Sequence, residues 1–150
     1  MEKTLILLKP DCIQRRLVGA IIQRLEAKGL RLAAMKFVHV RRDLAAKHYA
    51  EHQGKPFYEA VLGFLTSGPT VAMAWEGLQA VAVVRTLMGP TDGTKAPPGT
   101  IRGDYAITVQ NNLIHGSDSV ASAEREIALW FKPEEFVSYQ SVDAGWVSGA

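Results

Sequence analysis

What this chain lacks narrows its function before any motif is read. It has one cysteine, Cys12, so no internal disulfide can form; a small filler residue is the expected role of that thiol and a reducing cytoplasm the expected compartment. No apolar run approaches the ~20 residues that span a bilayer. Leu5-Ile6-Leu7-Leu8, ahead of Lys9-Pro10-Asp11, is too short for a signal peptide, so the mature chain is expected to begin at or near Met1. Like charges never form a run. The formal net charge is only +2, which suits a small anionic ligand better than a nucleic-acid groove or a membrane. There is no G-x-G-x-x-G, and Gly89-Pro90-Thr91-Asp92-Gly93-Thr94-Lys95 misses the P-loop spacing. Any phosphate bound here must therefore be neutralised by side chains. Internal repeats, linkers and low-complexity tracts are also missing.

What is present fits one globular domain over residues 1–150. A chain of this length, 47% hydrophobic and 21% charged, can bury a core without disulfides or metal. Thr4 to Leu8 reads as a short buried strand that Pro10 breaks. Val18, Ile21, Ile22 and Leu25 recur at helical spacing, with Gly29 placed as a left-handed cap. Leu30 to Val40 reads as a strand with Met35, Phe37 and Val38 in the core, and Asp43 can cap a helix through Tyr49. Pro56 opens an amphipathic segment, Phe57 to Leu65. Thr70 to Trp75 is a third strand and Val81 to Met88 a helix. Gly89 to Asp104 holds four glycines and three prolines without periodicity, which marks a long functional loop. Leu113 to His115 completes the strands. Ser119 to Phe131 reads as a helix with Val120, Ala123, Ile127 and Trp130 on one side. The order predicts an α/β (α+β) split β-α-β sandwich, its antiparallel sheet covered by helices on one face.

Chemistry concentrates in Asn112-Leu113-Ile114-His115-Gly116-Ser117-Asp118-Ser119, where a histidine ends an apolar run and small oxygen-bearing residues follow. On this window alone a reactive imidazole and a core histidine at a strand end stand level. Lys9, Arg85 and Arg102 are the candidates for phosphate, although each taken singly reads as a solvated charge. Glu124 or Glu126 could orient His115, and the helical wheel leaves the choice open. His48 and His52 have the spacing of a metal pair but no third ligand, and read as a solvated helix face. His39 reads as structural. Phe57 reads as core in preference to an exposed stacking ring.

These pieces, together with Leu8-Lys9-Pro10-Asp11, Leu17-Val18-Gly19, His48-Tyr49, Lys55-Pro56-Phe57, Ser67-Gly68-Pro69, Pro98-Gly99-Thr100-Ile101-Arg102-Gly103-Asp104 and Ser122-Ala123-Glu124-Arg125-Glu126, closely resemble the nucleoside diphosphate kinase family, in order and over nearly the whole chain. The resemblance implies a ferredoxin-like βαββαβ core with a four-stranded antiparallel sheet and extra helices. It also implies transfer of a terminal phosphate between nucleotides, by a ping-pong route through a phosphohistidine and with Mg2+ held mainly by the nucleotide phosphates. Carried over by position, it makes His115 the nucleophile and Glu126 the carboxylate that orients it, with Ser117 beside the ring. Lys9, Tyr49, Arg85, Thr91 and Arg102 then surround the phosphates. Lys9 and Asn112 reach the sugar, and Phe57 and Val61 cover the base. The family divides between hexamers and tetramers. The tail residues Phe136, Tyr139 and Trp146, costly to leave in water and expected to be covered by their own subunit or a neighbour, and the long loop from Gly89 make a homo-hexamer the expected assembly. The alternative from another class is an idle relative that senses nucleotides or binds nucleic acid. Two residues depart from the family pattern: Cys12 stands where glycine is usual and Gly93 where proline is frequent. A strained backbone at Cys12 and, at Gly93, loss of the stabilisation a proline gives by restricting the unfolded loop are the expected consequences.

Overall fold

Strands β1 (Glu2–Leu8), β2 (Arg31–His39), β3 (Pro69–Gly77) and β4 (Ile114–Gly116) form one antiparallel sheet in the order β2-β3-β1-β4. The structure is a computed structural model and describes residues 1–149. Helix α1 (Pro10–Gln14) and helix α2 (Val18–Ala27) connect β1 to β2, and α3 (Arg42–His48) and α4 (Tyr58–Leu65) connect β2 to β3. Helix α5 (Ala80–Met88) and α6 (Ile101–Tyr105) precede β4; α7 (Val120–Trp130) and α8 (Ala144–Val147) follow it. This is the ferredoxin-like βαββαβ plan with extra helices.

Helices cover both faces of the sheet, not one. The cause lies in β1, where Leu5 to Leu8 are all fully buried and successive side chains point to opposite sides. Ile6 and Leu8 join Val71, Met73 and Trp75 against α2, α5 and α6. Leu5 and Leu7 join Ala72 and Ala74 against α3, α4 and α7. Met35 and Phe37 leave the expected core and lie 46% and 65% exposed. They sit on the edge strand, whereas α1 and α5 pack on β1, β3 and β4. Val38 does pack against the second cluster.

Local signals explain the element ends. Gly29, at φ +99°, terminates the turn after α2. Ser119 caps α7 by accepting the Ser122 N–H at 3.0 Å. Pro10 starts α1, because its ring presets the helical φ and the first turn needs no N–H from it. The segment read as a loop from Gly89 holds a 3-10 turn at Gly93–Lys95 and then α6, capped by the Thr100 hydroxyl. Arg41, not Asp43, is the N-cap of α3, and α4 begins two residues after Pro56. Cys12 is buried within α1 without positive φ, so the expected strain is not found. Gly93 is buried, and a Cβ there would meet the Ala106 carbonyl oxygen at 2.5 Å. Its lack of a side chain lets this loop close against Ala106. Among the described residues no helix is long and apolar enough to cross a membrane.

Candidate active site

His115 sits on β4 opposite Leu7 of β1, so its side chain lies on the sheet face covered by α3, α4 and α7. The backbone enters β4 through a γ-turn: the Ile114 N–H donates to the Asn112 carbonyl at 2.8 Å around Leu113, whose φ is +74°. A bulky residue in that region is strained and must be held by its surroundings. Asp11 accepts the Leu113 N–H at 3.0 Å, the Lys9 N–H donates to the Leu113 carbonyl at 2.9 Å, and the Leu113 side chain is fully buried. This turn shifts the strand to Ile114–Gly116, one residue later than the sequence reading. Behind His115, Gly116 admits α5 closely, since a Cβ there would meet the Met88 sulfur at 2.5 Å.

The imidazole is held from one side and open on the other. His115 Nε2 lies 2.8 Å from Glu126 Oε1, and the ring is 21% exposed. Ser117 donates its hydroxyl to the same Glu126 oxygen at 2.8 Å and accepts the Leu5 N–H at 3.2 Å, which ties the carboxylate to β1. Burial pushes the Glu126 carboxyl up, but the hydrogen bonds from His115 and Ser117 and the nearby Arg125 bring it below the ordinary range. It is therefore ionised at neutral pH and accepts the Nε2 proton. That leaves Nδ1 as the ring nitrogen not engaged by Glu126. Glu124 is exposed and plays no part.

Around the ring, α3, α4, α5, α6 and the Thr91 loop enclose a cleft of about 500 Å³. Lys9, Tyr49, Phe57, Val61, Arg85, Thr91, Arg102 and Asn112 all line it with His115 and Glu126, and Ser117 stands behind Glu126. Lys9 and Arg102, read singly as solvated charges, are buried; Arg85 remains exposed. Burial lowers the Lys9 ammonium, Asp11 partly counteracts this and Arg102 adds to it, leaving Lys9 at about 8. Lys9 donates to Asn112 Oδ1, and Asn112 donates to the Thr91 carbonyl at 3.2 Å. Arg102 donates Nε to Asn112 O at 3.2 Å, Nη1 to Gly89 O at 3.1 Å and Nη2 to Ile114 O at 2.6 Å. One N–H on each terminal nitrogen remains for a ligand. Burial and then Glu126 raise the Tyr49 hydroxyl to about 12, so it stays a neutral donor.

Phe57 is half exposed at the rim, near His52, and is not a core residue. His48 is also misread as solvated: it is buried, and Nδ1 accepts Nε1–H from Trp130 at 3.0 Å. The signal for this was the pairing of His48 with Trp130 on the buried stripe of α7, which no spacing rule connects. His39 is exposed on β2, outside the cleft. His48, His115 and Glu126 bring three ligand-type atoms within 4.8 Å of one another. With two imidazole nitrogens among the three, they do not fit a hard cation such as Mg2+, which prefers six oxygens.

A carboxylate-held imidazole open to a cation-lined cleft on this fold is the equipment of a phosphotransferase. Comparison with known proteins agrees. The family described as nucleoside diphosphate kinase matches residues 2–136. Nucleoside diphosphate kinase from Carboxydothermus hydrogenoformans is 54% identical over 147 residues, covering 98% of this chain and 99% of that protein. The Gallus gallus enzyme of that name is 53% identical, covering 97% and 95%. Among solved structures, a halophilic nucleoside diphosphate kinase from Halobacterium salinarum in complex with CDP superposes with a TM-score of 0.96 at 49% identity, covering 97% of each chain. A family protein from Babesia bovis gives 0.95 at 44% identity, covering 98% and 99%. The chain belongs to the nucleoside diphosphate kinase family.

Proposed function

We propose that this enzyme moves the terminal phosphate of a nucleoside triphosphate to a nucleoside diphosphate in two half-reactions through His115. In the first, the Nδ1 lone pair bonds to the γ-phosphorus, the bond from phosphorus to the bridging oxygen breaks, and the diphosphate leaves with those electrons. A second diphosphate reverses the step and takes the phosphoryl group from Nδ1. Glu126 keeps the Nε2 proton throughout and stabilises the positive ring that forms. Lys9, Arg85 and Arg102 neutralise the phosphates, with Tyr49 and Thr91 as neutral donors. Asn112 and Lys9 reach the sugar hydroxyls, and Phe57 with Val61 covers the base by stacking, which suits indifference to base identity. Mg2+ carried on the phosphate oxygens would supply further charge neutralisation beside Lys9, Arg85 and Arg102.

The observation that carries this reading is the Glu126 contact to His115 Nε2, with the opposite ring nitrogen open to the cleft. An idle relative would not need that arrangement, and a carrier of phosphate between proteins would not need Phe57 and Asn112. Residues 1–150 act as one cytoplasmic domain. The exposed Met35, Phe37, Ile107 and Val109 and the tail support assembly of subunits into a hexamer of three dimers. Initial rates with ATP and UDP varied together test the route: parallel double-reciprocal lines are expected. Intersecting lines would mean direct transfer in a ternary complex and would overturn the covalent step.

A further inference from the structure

His48 has no part in the chemistry described so far, yet it is the side chain packed against the His115 ring. It ends α3, is 3% exposed, and its ring centroid lies 4.6 Å from that of His115 with the planes at 80°. Trp130 of α7 stands 5.5 Å away at 84° and donates its indole N–H to His48 Nδ1. An indole nitrogen can only donate. His48 Nδ1 must then present its lone pair, and the neutral ring carries its proton on Nε2.

The groups facing His48 come from four directions: His115 on β4, Glu126 and Arg125 on α7, Tyr49 and His52 just past α3, and Lys9 at the end of β1. Burial first, then His115, Arg125, His52 and Lys9, hold its pKa well below the ordinary histidine range. The same lock argues against the trio with His115 and Glu126 as a metal site. Nε2 carries a proton, and Glu126 Oε1 already accepts from His115 and Ser117.

One hydrogen bond from Glu126 leaves His115 free to tilt about that contact, and the ring becomes positively charged as Nδ1 bonds to phosphorus. A rigid second contact removes the tilt. If the ring supplying it were charged, 4.6 Å away, it would oppose the new charge. We propose that His48 is a positioning residue for the transfer: locked by Trp130 with its proton on Nε2, it braces the His115 ring against Glu126 and itself stays neutral while that ring carries the phosphoryl group. This inference rests on His115 as nucleophile.

Two readouts test it. Long-range 1H–15N spectra of the 15N-histidine protein should show His48 as a single Nε2–H tautomer that does not titrate between about pH 5 and pH 8. The Trp130→Phe variant should show a tautomer-averaged, titrating His48. In that variant, single-turnover labelling of the enzyme by γ-labelled ATP should slow about tenfold at the acid end and recover as pH rises and His48 loses its proton. In a His48→Phe background the Trp130→Phe change should add nothing. A wild-type His48 that titrates or carries its proton on Nδ1 overturns the proposal, and the spectra need no variant to show it. Labelling of Trp130→Phe at the wild-type rate at every pH, or a pH-independent loss additive with His48→Phe, overturns it as well. Absence of label on the wild type would instead overturn the reading of His115, which the spectra do not depend on.

Discussion

A histidine is a usable nucleophile when one nitrogen is held and the other is free, and His115 meets that condition through a single 2.8 Å contact to Glu126. The residue types at this site were legible in the sequence, but their pairing was not. Glu124 and Glu126 could not be separated on a helical wheel because both lie near the apolar arc. What separates them is the approach of β4, which brings His115 and Ser117 onto Glu126 alone. Burial of Lys9 was likewise invisible to a reading that treats lysine as surface, and it has a consequence for pH. The Lys9 pKa, brought down to about 8, means the free enzyme carries the Lys9 ammonium charge below that pH and loses it above. Nucleotide phosphates favour the protonated form, so kcat/KM should fall as pH rises through about 8, and Lys9→Arg should flatten that limb. A profile for the arginine variant that falls in the same place would assign the limb to another group. Phe57, core on its own window but set over the base by the family resemblance, lies at the rim of the cleft. Phe57→Ala should weaken all nucleotides alike, by about 1 to 3 kcal/mol in Kd. A loss for purines alone would show that base edges are read.

Among the elements, the connection from Gly89 to β4 differs most from its sequence reading. Glycine and proline content pointed to a long loop, and Thr91 and Arg102 do line the cleft, but composition cannot report that α6 is pinned from within. Arg102 does the pinning, with three carbonyls from Gly89, Asn112 and Ile114 on its guanidinium. Its fork therefore builds the site as well as facing a ligand. Arg102→Lys can restore charge but not three directed bonds, so it should lose turnover and also lower the melting temperature. Each buried carbonyl left without a donor costs about 1 to 3 kcal/mol. A lysine variant with wild-type melting and reduced turnover would confine Arg102 to the phosphates. The γ-turn at Leu113 is a second feature that periodicity could not find, because φ +74° at a leucine is set by Asp11, Lys9 and the core and not by local preference.

For the molecule as a whole, the antiparallel sheet of a split β-α-β sandwich followed from the alternation of strands and helices, while the strand order β2-β3-β1-β4 did not. The covering of both faces did not, since a fully buried strand such as β1 shows no alternation to reveal it. The expectation that the tail is covered is met only in part within one subunit. Phe136 packs on Phe131 at 5.7 Å between centroids and Val137 donates to the Ala33 carbonyl, but Trp146 is 94% exposed. With Met35 and Phe37 bare on the sheet edge, a lone subunit exposes more large apolar side chains than water favours. Light scattering should give about 98 kDa, six copies of a 16.4 kDa chain. A mass near four subunits would replace the hexamer with a tetramer, and a monomer would remove the argument from these surfaces.

The central claim is that His115 carries the phosphoryl group between two nucleotides. Enzyme incubated with γ-labelled ATP, freed of nucleotide and then given UDP tests it most directly. The account predicts an acid-labile label on the wild-type protein that passes to UTP, and none on His115→Ala despite an unchanged melting curve. Label retained on His115→Ala, or UTP formed without any labelled enzyme, would contradict it.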